Sequence, residues 1–216
     1  MYKSFLKNVI DFLCSFIGLL FLALPMLILI IAIKIDDPGP AFFKQQRVGK
    51  NKKLFWLYKF RSMKVSTPKD VPTHLLENPE QYISRIGKIL RKTSLDELPQ
   101  IINILCGKMS IIGPRPALWN QDDLIAERDK YGANDVKPGL TGWAQINGRD
   151  ELEISVKAKL DGEYVEKLNK GFISGFAMDI KCFFGTIKAV LKSDGVVEGG
   201  TGEIERERRE KETSGV

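Results

Sequence analysis

Asp96 and Glu97 stand side by side in the stretch RKTSLDELPQ, residues 91 to 100, with Pro99 just behind them. Adjacent carboxylates can attack an electrophile, hold a divalent cation, or do both in turn. Neighbouring helical residues point about 100° apart, so the two acids can take separate roles. The same stretch also fits a simpler pattern. Ser94-x-x-Glu97 is the spacing of a capping box, in which hydroxyl and glutamate satisfy backbone donors at a helix start. Proline is tolerated in the first helical turn, so Pro99 points to a helix start as well. A helix N-terminus carries partial positive charge and lowers a carboxylate's pKa, so the cap and the chemistry agree.

Cations sit at several places along the chain. In the strand-like KLFWLYKFRSM, period-two alternation puts Leu54, Trp56, Tyr58 and Phe60 on one face and Phe55, Leu57, Lys59 and Arg61 on the other. Lys59 and Arg61 then either converge on an anion or are two solvated bases. Arg91 precedes the acids. Arg115 and Arg149 lie in SIIGPRPAL (110–118) and KPGLTGWAQINGRD (137–150), loops dense in Gly and Pro that fix the backbone. Arginines on rigid loops suit phosphate recognition. Acids for a metal and cations for phosphates suggest phosphoryl transfer.

These groups need elements to hold them. AFFKQQRV and KLFWLYKFRSM read as a hairpin around GKNKK. YISRIGKILRK is a basic amphipathic helix. The next helix carries Leu98, Ile101, Ile102 and Leu105 at i, i+3, i+4, i+7 and stops at Gly107. DDLIAERDKYG is a short polar helix. Residues 172–192 form a further amphipathic helix with Ile173, Phe176, Ile180, Phe183, Ile187 and Val190 in one stripe, suited to a membrane interface or to the domain core. Asp179 borders that stripe and needs a cationic partner.

Phe12 to Ile33 is 22 residues without a charge. About 20 helical residues cross a bilayer core. A signal peptide does not fit, because the run is too long and KIDDPGP follows it. Pro25 interrupts the run and predicts a bend or break. A kinked spanning helix and a re-entrant hairpin are both compatible with this. Lys3 and Lys7 precede the run, and residues 34–64 carry nine Lys/Arg against Asp36 and Asp37; the chain total is +6, so the rest is nearly neutral. Positive flanks on both sides favour a hairpin with both ends cytoplasmic. The basic belt would lie on anionic headgroups. Its place beside a membrane segment argues against nucleic acid.

Cys14, Cys106 and Cys182 make no CxxC pair and read as apolar fillers in a reducing compartment. His74, the only histidine, falls in TPKDVPTHLLENP and reads as solvated surface.

Four ordered motifs, YKFRSM, RKTSLDELPQ, MSIIGPRPAL and KPGLTGWAQINGRD, resemble the bacterial sugar transferases, the monotopic polyprenyl-phosphate phosphoglycosyl transferases, in their minimal catalytic form. The resemblance covers nearly the whole chain, to about residue 195. It implies transfer of a sugar phosphate from a UDP-sugar to undecaprenyl phosphate with release of UMP, using Mg²⁺ and a ping-pong mechanism. Asp96 would be the nucleophile that forms a phosphosugar ester, and Asp96 and Glu97 would hold the metal. Lys59, Arg61, Arg91, Arg115, Gln145, Asn147 and Arg149 form the implied substrate-binding set. Asp179, with Asp161, would support the site. The resemblance also implies a re-entrant anchor broken at Pro25. Members often carry Ser-Pro there, whereas this chain has Leu24-Pro25, which lacks a hydroxyl for a freed carbonyl.

The expected architecture is α+β and mostly helical: a re-entrant helix-break-helix, amphipathic interfacial helices and a small β-hairpin. The expected organisation is an anchor at 1–35, a cytosolic membrane-associated catalytic domain at 36–200, and a charged flexible tail at 201–216. The expected location is the cytoplasmic face of the bacterial inner membrane. The expected donor is a UDP-N-acetylated amino sugar, and a homodimer is compatible with an exposed membrane-facing helix. The competing reading is a catalytically silent membrane-anchored scaffold that binds anionic lipid or a partner. The intact acid pair and the arginine loops speak against it.

Overall fold

The computed structural model describes residues 2–67, 79–148 and 152–192. His74, Arg149 and the charged tail lie outside the described residues. The apolar run becomes part of one helix, α1 (Lys7–Asp36, 30 residues). It is long and apolar enough to cross a membrane, and its apolar side chains point outward, with Phe21 79% exposed. Its buried positions are Lys7, Asp11, Ser15, Met26 and Ile33, so one side of the helix rests on the protein along most of its length. The expected break at Pro25 is absent from the backbone, because the helix continues through it. Proline deletes only its own hydrogen bond, and the bonds on either side carry the helix on.

After α1 the chain forms the hairpin read from the sequence. β1 (Phe42–Val48) pairs antiparallel with β2 (Leu54–Phe60), from Phe42↔Phe60 to Val48↔Leu54. Phe55 and Leu57 are buried while Leu54, Trp56 and Tyr58 are exposed, as the alternation predicts; Phe60, at the strand end, is buried too. The two strands are joined by a one-turn 3-10 segment at Lys50–Lys52. Next come α2 (Arg85–Lys92) and α3 (Gln100–Leu105), with a 3-10 turn at Leu95–Glu97 between them. α3 differs from its predicted stripe: Gln100, Asn103 and Ile104 are buried, whereas Ile102 is exposed. Its other side faces α1, where Ile101 lies so close that a Cβ on Gly18 would come within 3.3 Å.

The two Gly-Pro segments are more ordered than loops. β3 (Ser110–Ile112) runs parallel to β4 (Gly139–Thr141). A Cβ on Gly139 would lie 2.1 Å from the Gly113 nitrogen, so only glycine lets these backbones meet. α4 (Asp122–Asp129), α5 (Trp143–Ile146), α6 (Ile154–Asn169) and α7 (Phe172–Lys192) complete the chain. α6 was not anticipated from the sequence. α7 turns Gly175, Met178, Asp179 and Cys182 inward, while Ile173, Phe176, Ile180, Phe183 and Ile187 stay exposed. The apolar stripe of α7 therefore serves a surface and not the core. Burial pushes the Cys182 thiol up to about 12, as suits an inert filler.

One core cluster joins β2 to α3: Phe55 and Leu57 of β2, Ile104 of α3 and Met109. Another joins Met26 and Ile33 of α1 to Ala41, Phe60 and Leu90. At roughly 1.5–3 kcal/mol per fully buried large apolar side chain, these contacts make α1 part of the folded unit.

Candidate active site

The acid pair sits in a bend that its own backbone makes. Ser94 adopts a left-handed conformation at φ 55, a sparsely populated state for a non-glycine residue. It turns the chain from α2 into the 3-10 turn that carries Asp96 and Glu97. Pro99 follows with helical angles and starts α3 without needing a donor. The capping box is not made, because Ser94 gives no side-chain cap. Glu97 turns elsewhere, to cations that lie far away in the sequence.

Arg115 grips Glu97 with both arms of its guanidinium, Nη2 donating to Oε1 at 2.5 Å and Nη1 to Oε2 at 3.3 Å. Lys59 Nζ donates to the same Oε1 at 2.9 Å. Asp96 is served less well. Lys59 lies 3.6 Å from its Oδ2, and among the described residues no side-chain hydrogen bond ends on it. Both acids are only 9% exposed.

Their acidities part accordingly. Burial raises the carboxyl of Asp96, and Lys59 offsets this only in part. Burial works against Glu97 as well, yet the charges of Arg115 and Lys59 outweigh it and hold its carboxyl far below the usual range. The helix-end effect expected from the sequence is therefore not what sets Asp96; desolvation reverses the direction. Two neighbouring acids with pKa values pushed apart are a pattern of divided labour. Glu97 is a fixed anion that holds two cations in place. Asp96 is the more basic carboxylate and the less engaged one.

The other predicted residues separate into groups. Arg91 lies close enough for its charge to act on Asp96, and its Nε donates to Ser62 Oγ at 2.8 Å. Arg61 does not join Lys59 at an anion site. It donates to the Asp37 carbonyl and pairs with the Asp37 carboxylate at 3.4 Å, which fastens the exit of α1. The reason is that Asp37 offers it both a main-chain carbonyl and a carboxylate. Gln145 has both amide atoms buried, with no partner for either among the described residues. Asn147 is exposed and donates to its own helix at Trp143 O, 2.7 Å.

Asp179 and Asp161 are buried elsewhere. Asp179 accepts from Lys7 at 2.7 Å, Tyr2 at 2.5 Å and Tyr164 at 2.8 Å, which binds the start of α1 to α6 and α7. The cationic partner expected for it is Lys7. Asp161 takes both Nε and Nη2 of Arg128, at 2.8 and 2.5 Å, and joins α6 to α4. Two anchoring residues escaped the sequence reading. Asp11 on α1 accepts from Ser110 Oγ and Ile111 N. Asn103 meets β2 from α3. An acid four residues after Lys7 on an apolar helix, and an asparagine in an apolar one, were the available signals.

Mg²⁺ is held by one or two carboxylates plus phosphate and water oxygens, and not by a full protein cage. Among the described residues no cluster of three or more potential ligands exists, so a cage is ruled out there. A carboxylate pair with one member lightly engaged fits the looser kind of site.

The model of the family described as bacterial sugar transferase matches residues 2–193. The chain belongs to that family. Its relatives include an uncharacterized sugar transferase EpsL of Bacillus subtilis, 37% identical over 88% of this chain and 90% of that protein. The undecaprenyl-phosphate galactose phosphotransferase of Salmonella typhimurium is 35% identical over 89% of this chain and 42% of its own length. The UDP-glucose:undecaprenyl-phosphate glucose-1-phosphate transferase of Escherichia coli is 37% identical over 84% of this chain and 39% of its own length. This sugar transferase thus spans less than half of the last two proteins.

Proposed function

We propose that the chain is a phosphoglycosyl transferase that moves a sugar-1-phosphate from a UDP-sugar to undecaprenyl phosphate and releases UMP. The observation that carries this is the split pair: a buried, basic, lightly engaged Asp96 beside a Glu97 that fixes Lys59 and Arg115. An Asp96 oxygen attacks the β-phosphorus of the donor, and the bond to the UMP oxygen breaks. A phosphate oxygen of the lipid then attacks the same phosphorus, and the Asp96 carboxylate leaves unchanged. Lys59, Arg115 and Arg91 supply positive charge where the phosphates gather. Asp96 and Glu97 would hold Mg²⁺, which neutralises phosphate charge when bound.

The membrane arrangement is part of this reading. At 1.5 Å per residue α1 is about 45 Å long. Yet its two ends are tied to one domain, through Lys7 to Asp179 and through Asp36 to the Ile86 amide at 3.0 Å and Asp37 to Arg61. A spanning helix would put its ends on opposite sides. Attachment at both ends supports an anchor held on the cytoplasmic leaflet, with the exposed stripe of α7 in the interface and a re-entrant α1 that bends at Pro25 instead of breaking there.

The proposed donor is a UDP-N-acetylated amino sugar. The test is UMP release with Mg²⁺ and undecaprenyl phosphate across a panel that includes UDP-glucose and UDP-galactose. Release with none of them would favour the scaffold reading. Labelled sugar phosphate bound to the protein before lipid is added tests the covalent step. Cysteine labelling near residues 5 and 40 should report the same side of the membrane.

A further inference from the structure

Asn103 is 2% exposed in the middle of α3, six residues after Glu97. Its side chain does not face the acids. Oδ1 accepts from the Tyr58 amide at 3.0 Å, and Nδ2 donates to the Trp56 carbonyl at 2.7 Å. These two backbone groups flank Leu57 on the edge of β2 that β1 does not cover. One residue of a parallel neighbouring strand would take the same two groups. The amide thus closes a strand edge that otherwise has unpaired donors and acceptors.

The position of this contact matters more than its strength. Lys59 is the residue after Tyr58, and its ammonium is the cation shared by Glu97 and Asp96 at 2.9 and 3.6 Å. Leu57 and Ile104 are buried in one cluster beside the clamp, so side chains and backbone fix the same register. The main-chain carbonyl of Asn103 also accepts from the amides of Lys108 and Met109, at 3.0 and 3.3 Å. That turn leads into β3 and onward to Arg115. One residue therefore joins the strand of Lys59, the helix behind the acid pair and the turn toward Arg115.

We propose that Asn103 is a positioning residue for the transfer reaction: it locks β2 to α3 in the one register that puts the Lys59 ammonium between Asp96 and Glu97. This rests on the functional reading above. Displacing a catalytic cation by about 1 Å can cost a hundredfold in rate.

The test is a double-mutant cycle on UMP release by the full chain in nanodiscs, using Asn103→Leu and Lys59→Met. If Asn103 acts through Lys59, Asn103→Leu lowers kcat about tenfold or more alone and less than about twofold in the Lys59→Met background. Val165→Ala, in a core cluster on α6 that holds no β2 residue, should lower thermal stability while kcat per folded molecule holds. Amide exchange at Tyr58 should speed up in Asn103→Leu. If that variant does not fold, Asn103→Asp carries the same cycle, since it keeps the acceptor for Tyr58 and loses the donor to Trp56. An active wild type with equal losses in both backgrounds, or losses that follow only the folded fraction, overturns the clamp alone. A wild type that releases no UMP overturns the functional reading and the clamp's role with it.

Discussion

The chain buries two kinds of acid, and they are wired differently. Asp179 accepts from Lys7, Tyr2 and Tyr164 across both oxygens. Asp96 is equally buried and has one cation at 3.6 Å. The first cluster is satisfied on every side, as a structural tie must be. The second leaves a charged oxygen short of partners, a cost that stability alone does not explain. Glu97 stands between the two cases, saturated like Asp179 but by cations that also face Asp96. Completeness of pairing sets Asp96 apart from Asp179 and Glu97, and its place beside Lys59 and Arg115 sets it apart from Asp161, whose Oδ1 is also buried without a partner among the described residues.

This contrast can be broken by experiment. Asp96→Asn should lower UMP release by about a thousandfold or more while the unfolding midpoint holds or rises. Wild-type turnover in that variant would end the assignment. Asp179→Ala should do the reverse. It strands Lys7 as a buried charge and should cost about 3–5 kcal/mol in denaturant unfolding. Its kcat per folded molecule should stay near wild type, and a turnover lost at full folding would place Asp179 in the chemistry. Arg115→Lys keeps the charge but loses the two-armed grip, so turnover should fall about tenfold.

The pH response sharpens the same contrast. Asp96 must be ionised to attack, and its carboxyl is raised, so activity should fall on acidification at a pH above the ordinary aspartate value of about 3.9. Lys59→Met removes the main charge that lowers it and should move this limb to higher pH. Glu97 behaves oppositely. Its folded pKa is depressed, so its ion pairs stabilise the fold above the ordinary glutamate value of about 4.3 and are lost only as pH falls through the depressed one. Activity should therefore disappear at a higher pH than the contribution of Glu97 to folding, which parallel rate and unfolding curves would check. Glu166→Gln, which removes an exposed partner of Lys170, should change neither curve.

Local patterns in the sequence were read well where local physics decides. The hairpin, α4, α7 and the apolar helix follow from periodicity and turn residues. The acid pair was visible as a pair. What stayed hidden depends on partners distant in the chain. The capping box at Ser94 gave way because Glu97 gains more from Arg115 and Lys59 than from a backbone amide. Arg61 was drawn to Asp37, which no spacing rule ranks above a phosphate site. The β3–β4 pairing rests on glycines that meet across 26 residues, Gly113 and Gly139, and composition alone reads those as loops.

The attachment of α1 at both ends has a consequence for handling the protein. Met26 and Ile33 wall the cluster that holds Phe60 and Leu90, and Lys7 neutralises Asp179. Removing residues 1–35 therefore does not release a soluble enzyme from its tether. It opens a hydrophobic core and strips a buried acid of its counter-ion, so the one helix among the described residues that is long and apolar enough to cross a membrane is also a structural member of the domain that carries the acid pair.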